Sequence, residues 1–125
     1  MTPSLIVTRG EETVFSHTGS WLHPLFALEE YLRETHLNPE ELFLQDKIVG
    51  KAAAFLIVGM GFKKIKALTL SLPGKDVLDA AEAEYTYDNL VDRIQCRTER
   101  MLAEARDPSE ARAMIDDLLK GSKPT

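Results

Sequence analysis

The longest apolar run in this chain, Ala52 to Met60, spans nine residues. A membrane span needs roughly 18–20, so this run has the length of a buried helix. Short strand-like segments flank it: Leu42-Phe43-Leu44-Gln45 on one side, Lys64-Ile65-Lys66-Ala67-Leu68-Thr69-Leu70 on the other. Gly59 or Gly61 supplies a C-terminal stop for the helix. Strand, helix and strand in this rhythm predict a βαβ unit, right-handed and with parallel strands. A helix apolar on so much of its surface must pack against a sheet.

The remaining segments extend that unit. Ser4 to Thr8 and Thr13 to Ser16 are short strand-like runs around Arg9-Gly10-Glu11-Glu12, the pattern of an antiparallel hairpin. Ser20 is a candidate N-cap for an amphipathic helix carrying Leu22, Leu25, Phe26, Leu28, Tyr31 and Leu32, with Pro24 in its first turn. Ser71-Leu72-Pro73-Gly74 reads as a strand-to-helix turn, followed by a short helix to Glu82 and a strand at Glu84–Tyr87. Asp88 or Asn89 is expected to cap a long helix through Arg106, and a last helix to run from Asp107 to Leu119. The expected order is ββαβαβαβαα: an α/β fold, a three-layer α/β/α sandwich with a mixed sheet. It forms one domain over residues 1–120, and residues 121–125 form a frayed tail.

Composition narrows the function classes. With 125 residues, 44% of them hydrophobic, the chain can bury a core without metal or disulfide staples. A net charge of −5 argues against general nucleic-acid binding, and the cluster Lys63, Lys64, Lys66 is too short to reverse that. No membrane span and no signal peptide are visible. The single cysteine, Cys96, excludes an internal disulfide, so a cytoplasmic protein is expected.

Candidate chemistry concentrates at Gln45-Asp46-Lys47-Ile48-Val49-Gly50-Lys51. If Asp46 caps a helix beginning at Lys47, then Lys47 and Lys51 lie on one helix face. A helix start carries free N–H donors and a partial positive charge, and Gly50 permits close approach to the backbone. In open α/β sheets ligands bind beyond the carboxyl ends of the strands. Ser71 ends the neighbouring strand, so the inferred ligand site is Asp46, Lys47, Gly50, Lys51 and Ser71. Its ligand class is a nucleotide or other phosphate-bearing small molecule. The plainer alternative makes Asp46 an ordinary cap, the lysines solvated and Gly50 a packing residue.

Other chemistries find less support. The order of elements is that of the cytidine-deaminase fold, whose enzymes need a His or Cys ligand with a nearby Glu, and a later Pro-Cys-x-x-Cys. Here Asp46 to Lys51 stand where His-x-Glu is expected, and His17, His23 and His36 are scattered upstream. Three zinc ligands cannot be assembled, so no metal and no cofactor are assigned. Cys96, between Gln95 and Arg97, reads as a half-buried helix residue rather than a nucleophile.

The segment Asp46 to Ala54 resembles the signature of a small bacterial family named domain of unknown function 1893. Gly19-Ser20-Trp21-Leu22-His23-Pro24-Leu25, the strand ending at Ser71, and Ile94-Gln95-Cys96-Arg97-Thr98 resemble further elements of it. The resemblance runs from about residue 4 to about 105. It implies a cytidine-deaminase-like fold and no established activity. The Asp-Lys-apolar-apolar-Gly core is also similar to a motif in formate dehydrogenase accessory sulfurtransferases, which are associated with guanine-nucleotide binding. Their His-Asn pair is replaced here by Leu44-Gln45, and their Cys-x-x-Cys is absent. That similarity implies nucleotide binding without sulfur transfer. A Cys-Pro-Met-Glu loop of many family members is missing, and Cys96 stands where they have Asn.

The leading expectation is therefore a zinc-free binding module for a phosphate-bearing ligand. The rivals are a non-zinc enzyme using Asp46 or Lys47, and an interaction protein. The last could be a homo-oligomer joined through the apolar residues of the C-terminal segment.

Overall fold

The computed structural model describes residues 3–19, 22–94, 112 and 113. Two strands, β1 (Leu5–Arg9) and β2 (Glu12–His17), form the expected hairpin. Helix α1 (His23–Thr35) and a short 3-10 turn (Pro39–Glu41) lead into β3 (Phe43–Val49). Then α2 (Lys51–Met60), β4 (Lys64–Ser71), α3 (Leu72–Ala80) and β5 (Glu84–Val91) follow. The strands form one mixed sheet in the order β2-β1-β3-β4-β5. β1 is antiparallel to both of its neighbours, while β3, β4 and β5 are parallel.

This topology fixes where the helices lie. β2 and β3 are both antiparallel to β1, so they are parallel to each other. The crossovers β2-α1-β3, β3-α2-β4 and β4-α3-β5 all step across the sheet in one direction. Right-handed crossovers then place α1, α2 and α3 on the same face, and α2 packs against both other helices; among the described residues helices thus cover one face of the sheet, where the sequence predicts both. The core fills that interface: Leu5, Val7, Leu44, Ile65 and Leu70 from the strands meet Leu25 and Leu28 of α1, Ile57 of α2 and Leu78 of α3. Ala52, Ala53 and Ala54, all buried, are the small residues that let α2 approach the sheet. Gly61, at φ 104°, closes α2, a conformation suited to glycine.

Two boundaries differ from the sequence expectation. Asp88 and Asn89 do not cap a helix. They continue β5, where Asn89 pairs with Thr69 and Leu90 with Leu70 of β4. The other boundary, at Asp46, bears on the site. The Ser20 cap, Cys96, the rest of the C-terminal helices and the tail fall outside the described residues, although residues 112 and 113 are helical. Among the described residues no helix is long and apolar enough to cross a membrane.

Candidate functional site

Asp46 is not a helix cap. Strand β3 runs on through Val49, because Asp46 is paired on both sides, with Leu5 of β1 and Ala67 of β4. The β-branched Ile48 and Val49 favour the strand's continuation. Helix α2 begins only at Lys51, with Gly50 as its N-cap in extended conformation (φ −99°, ψ −168°) and no capping side chain. Lys47 is thus an exposed strand residue and Lys51 a half-buried helix residue. Their four-residue spacing does not place them on one helix face. The Lys51 ammonium lies 5.9 Å from the centroid of the Phe55 ring, one turn along α2.

The Asp46 side chain is 9% exposed. Its carboxylate accepts hydrogen bonds from the backbone N–H groups of Lys47 and Ile48. The Lys47 N–H also donates to the Ser4 carbonyl at 2.9 Å. These bonds coincide with an irregularity in the sheet. The parallel ladders pair the residues on either side of Lys47, Leu68 and Asp88 but skip that row. Burial changes phase there too: Leu44 and Asp46, then Val49; Ile65 and Ala67, then Leu70. Asp46 therefore tethers the backbone where β3 departs from regular alternation. Burial pushes its carboxyl up to about 7, against the lowering effect of the two N–H donors.

Ser71 caps α3. Its buried hydroxyl oxygen accepts from the Gly74 N–H at 3.0 Å. Gly74 in turn sits on the β3–α2 junction. A Cβ there would stand 3.0 Å from the Val49 carbonyl oxygen and 3.1 Å from that of Gly50. Gly50, Lys51 and Ser71 are thus brought together at the carboxyl edge of the sheet, as the topology predicts. Asp46 lies beneath the same junction. Gly74 did not stand out in the sequence, where it read only as a turn residue.

His17, which the sequence left unassigned, ends β2 at the same edge. It shares a row with Leu5 and Asp46. Its Nδ1 accepts from the Gly19 N–H at 2.9 Å, which places the proton of a neutral ring on Nε2. The Ser4 hydroxyl donates to the Gly19 carbonyl at 2.7 Å. A strand-end histidine two residues before a glycine was the available signal.

The electrostatics of this edge follow from the fold. Each crossover helix starts where a parallel strand ends, so α1, α2 and α3 all present their N-termini here. None carries an acidic residue in its first turn. Helix N-termini bear partial positive charge that Asp or Glu usually offsets. Among the described residues no group of three or more His, Cys, Asp and Glu is placed to hold a metal ion. A separate open depression lined by Phe43, Lys64, Glu84 and Tyr85 lies at the amino-terminal ends of the strands.

Comparison with known proteins agrees with this architecture. No curated protein matches the chain. A solved structure of a DUF1893 family protein from Thermotoga maritima is similar, with 26% sequence identity and a TM-score of 0.80, over 95% of this chain and 80% of that one. The family described as Domain of unknown function (DUF1893) matches residues 2–119, and the chain belongs to that family.

Proposed function

We propose that this protein binds a phosphate-bearing small molecule, with nucleotides as the leading class, at the carboxyl edge formed by Gly50, Lys51 and Ser71. The observation that carries this reading is the convergence of three helix N-termini with no first-turn acid in a chain of net charge −5. An anion there gains from the helix dipoles and from backbone N–H donors. Lys51, at the first position of α2, supplies a full positive charge. Gly50, buried against Gly74, brings the starts of α2 and α3 together, and Ser71 fixes where α3 begins. Asp46 is the carboxyl beneath the junction, and its raised pKa reduces its repulsion of an anion near neutral pH. Lys47, exposed one position further along β3, adds long-range attraction rather than a helix-face contact.

Isothermal titration with inorganic phosphate, mononucleotides and dinucleotides tests this. Binding that weakens about tenfold or more in Lys51→Ala, and less in Lys47→Ala, supports the site. No binding across the panel, or undiminished binding by the double variant, overturns it.

A second reading is favoured by the Asp46 carboxyl, held near 7. A group titrating there can exchange a proton with a bound ligand at neutral pH. Under this reading Asp46→Asn retains ligand affinity but abolishes turnover of any ligand found to be consumed. Retained turnover excludes it.

A further inference from the structure

Strand β5 is an edge of the sheet, and among the described residues no strand lies on its outer side. It is eight residues long and carries no proline. The other edge, β2, is shorter, and its ladder with β1 is interrupted between Val7 and Thr8. Tyr87 and Leu90 of β5 are 40% and 41% exposed. A long, open edge with exposed apolar side chains is a template for pairing with another chain.

Tyr85, Tyr87 and Leu90 pair with Ile65, Ala67 and Leu70 of β4. Those three are all buried in the core beneath the helices. Side chains of paired residues share a face, so Tyr85, Tyr87 and Leu90 form one stripe on the helix-covered side. Strict alternation would put Tyr87 and Leu90 on opposite faces. The skipped row at Asp88 brings them together.

We propose that β5 pairs antiparallel with β5 of a second copy of this chain, extending the sheet across a two-fold axis. The sequence selects the register. Setting Tyr87 opposite Leu90 of the second copy also sets Asp88 opposite its Asn89, and a chain that stays extended two residues past the end of β5 sets Glu84 opposite its Arg93. Each pairing occurs twice by symmetry. Sliding by one residue one way sets Asp88 against its own copy and Glu84 against Asp92, which like-charge repulsion disfavours; sliding the other way sets Glu84 opposite Ile94 and loses the Glu84–Arg93 pair. Among the described residues neither Glu84 nor Arg93 has an ion-pair partner. The dimer thus buries the Tyr87–Leu90 stripe, satisfies the open backbone edge and neutralises two charges per copy. The carboxyl-edge site faces a different direction and is not needed for it.

Sedimentation equilibrium of the full chain over a concentration series tests the proposal. The wild type is expected to be a dimer. Glu84→Arg sets like charges at both ends and is expected to raise the dissociation constant about tenfold or more. Adding Arg93→Glu to that variant is expected to restore dimerisation. Leu90→Lys, at an exposed position, is expected to give a folded monomer by circular dichroism. A monomeric wild type at all concentrations overturns the proposal. So does a dimer that Glu84→Arg leaves intact, or a double charge reversal that recovers nothing.

Discussion

Gly74 faces the backbone of Gly50 with room for no side chain between them: a Cβ on Gly74 would lie 3.1 Å from both the carbonyl carbon and the carbonyl oxygen of Gly50. This close approach seats the first turn of α3 on the junction where β3 becomes α2. Backbone atoms on the facing side cannot swing away as a flexible side chain would. Gly74→Ala should therefore destabilise the protein by about 1–2 kcal/mol through overpacking. It should do so even though alanine is intrinsically the better helix former by ~1 kcal/mol. A lower urea midpoint with an unchanged m-value is the expected result. An unchanged or higher midpoint would show that the junction relaxes freely.

Ser71 works in the same turn by a different means. Its hydroxyl oxygen accepts from the Gly74 N–H in a fully buried setting. Ser71→Ala removes the acceptor and leaves that donor without it. The expected loss is about 1–2 kcal/mol, the cap plus part of the desolvation of an unpaired amide. Ser71→Thr keeps the oxygen and should lose less, as chemical denaturation of the two variants side by side would show.

These two residues also mark the limits of what the sequence disclosed. The hairpin, α1 and the βαβ unit were legible because their apolar periodicity is local. So was the meeting of Gly50, Lys51 and Ser71 at one edge, which follows from parallel strands and right-handed crossovers. Asp46 was misplaced because an aspartate before Lys-Ile-Val-Gly-Lys looks like a cap. What keeps it in a strand is pairing with Leu5 and Ala67, both distant in sequence. Asp88 and Asn89 misled in the same way, since pairing with β4 overrides their preference for helix starts. Burial of Asp46 and the close approach at Gly74 arise only from assembled elements, so no local pattern reports them.

Arg112 provides a test of long-range packing. Its guanidinium grips Glu29 of α1 with two bonds, Nη1 to Oε2 at 2.5 Å and Nη2 to Oε1 at 3.0 Å. It also lies 5.4 Å from the centroid of the Phe26 ring. The pair is partly exposed, and Arg33 stands 3.7 Å from the same carboxylate as a substitute. Arg112→Ala should therefore cost only about 0.5–1 kcal/mol. Arg112→Lys should recover little of it, because an ammonium reproduces neither the fork nor the stacking. Thermal melts of the three proteins at low and high salt would check this, and full recovery by lysine would contradict it.

Asp46 predicts an unusual pH dependence. Its carboxyl titrates near 7 in the folded protein, against 3.8 as the ordinary value. Below about pH 4 the group is protonated in both folded and unfolded chains and exerts no penalty. Between about pH 4 and pH 7 the unfolded chain ionises while the folded one holds its proton, so this group's contribution to stability falls as pH rises. Above about pH 7 both forms are ionised and the loss is complete. A shift of this size corresponds to at most about 4 kcal/mol. Asp46→Asn keeps an oxygen to accept from the Lys47 and Ile48 N–H groups but removes the ionisation. The variant should gain on the wild type progressively from about pH 4 to pH 7, then hold a constant lead. Urea denaturation of both proteins across that range measures the gap directly. A gap independent of pH, or one that narrows as pH rises, would mean that the Asp46 carboxyl is ionised well below neutrality in the folded protein.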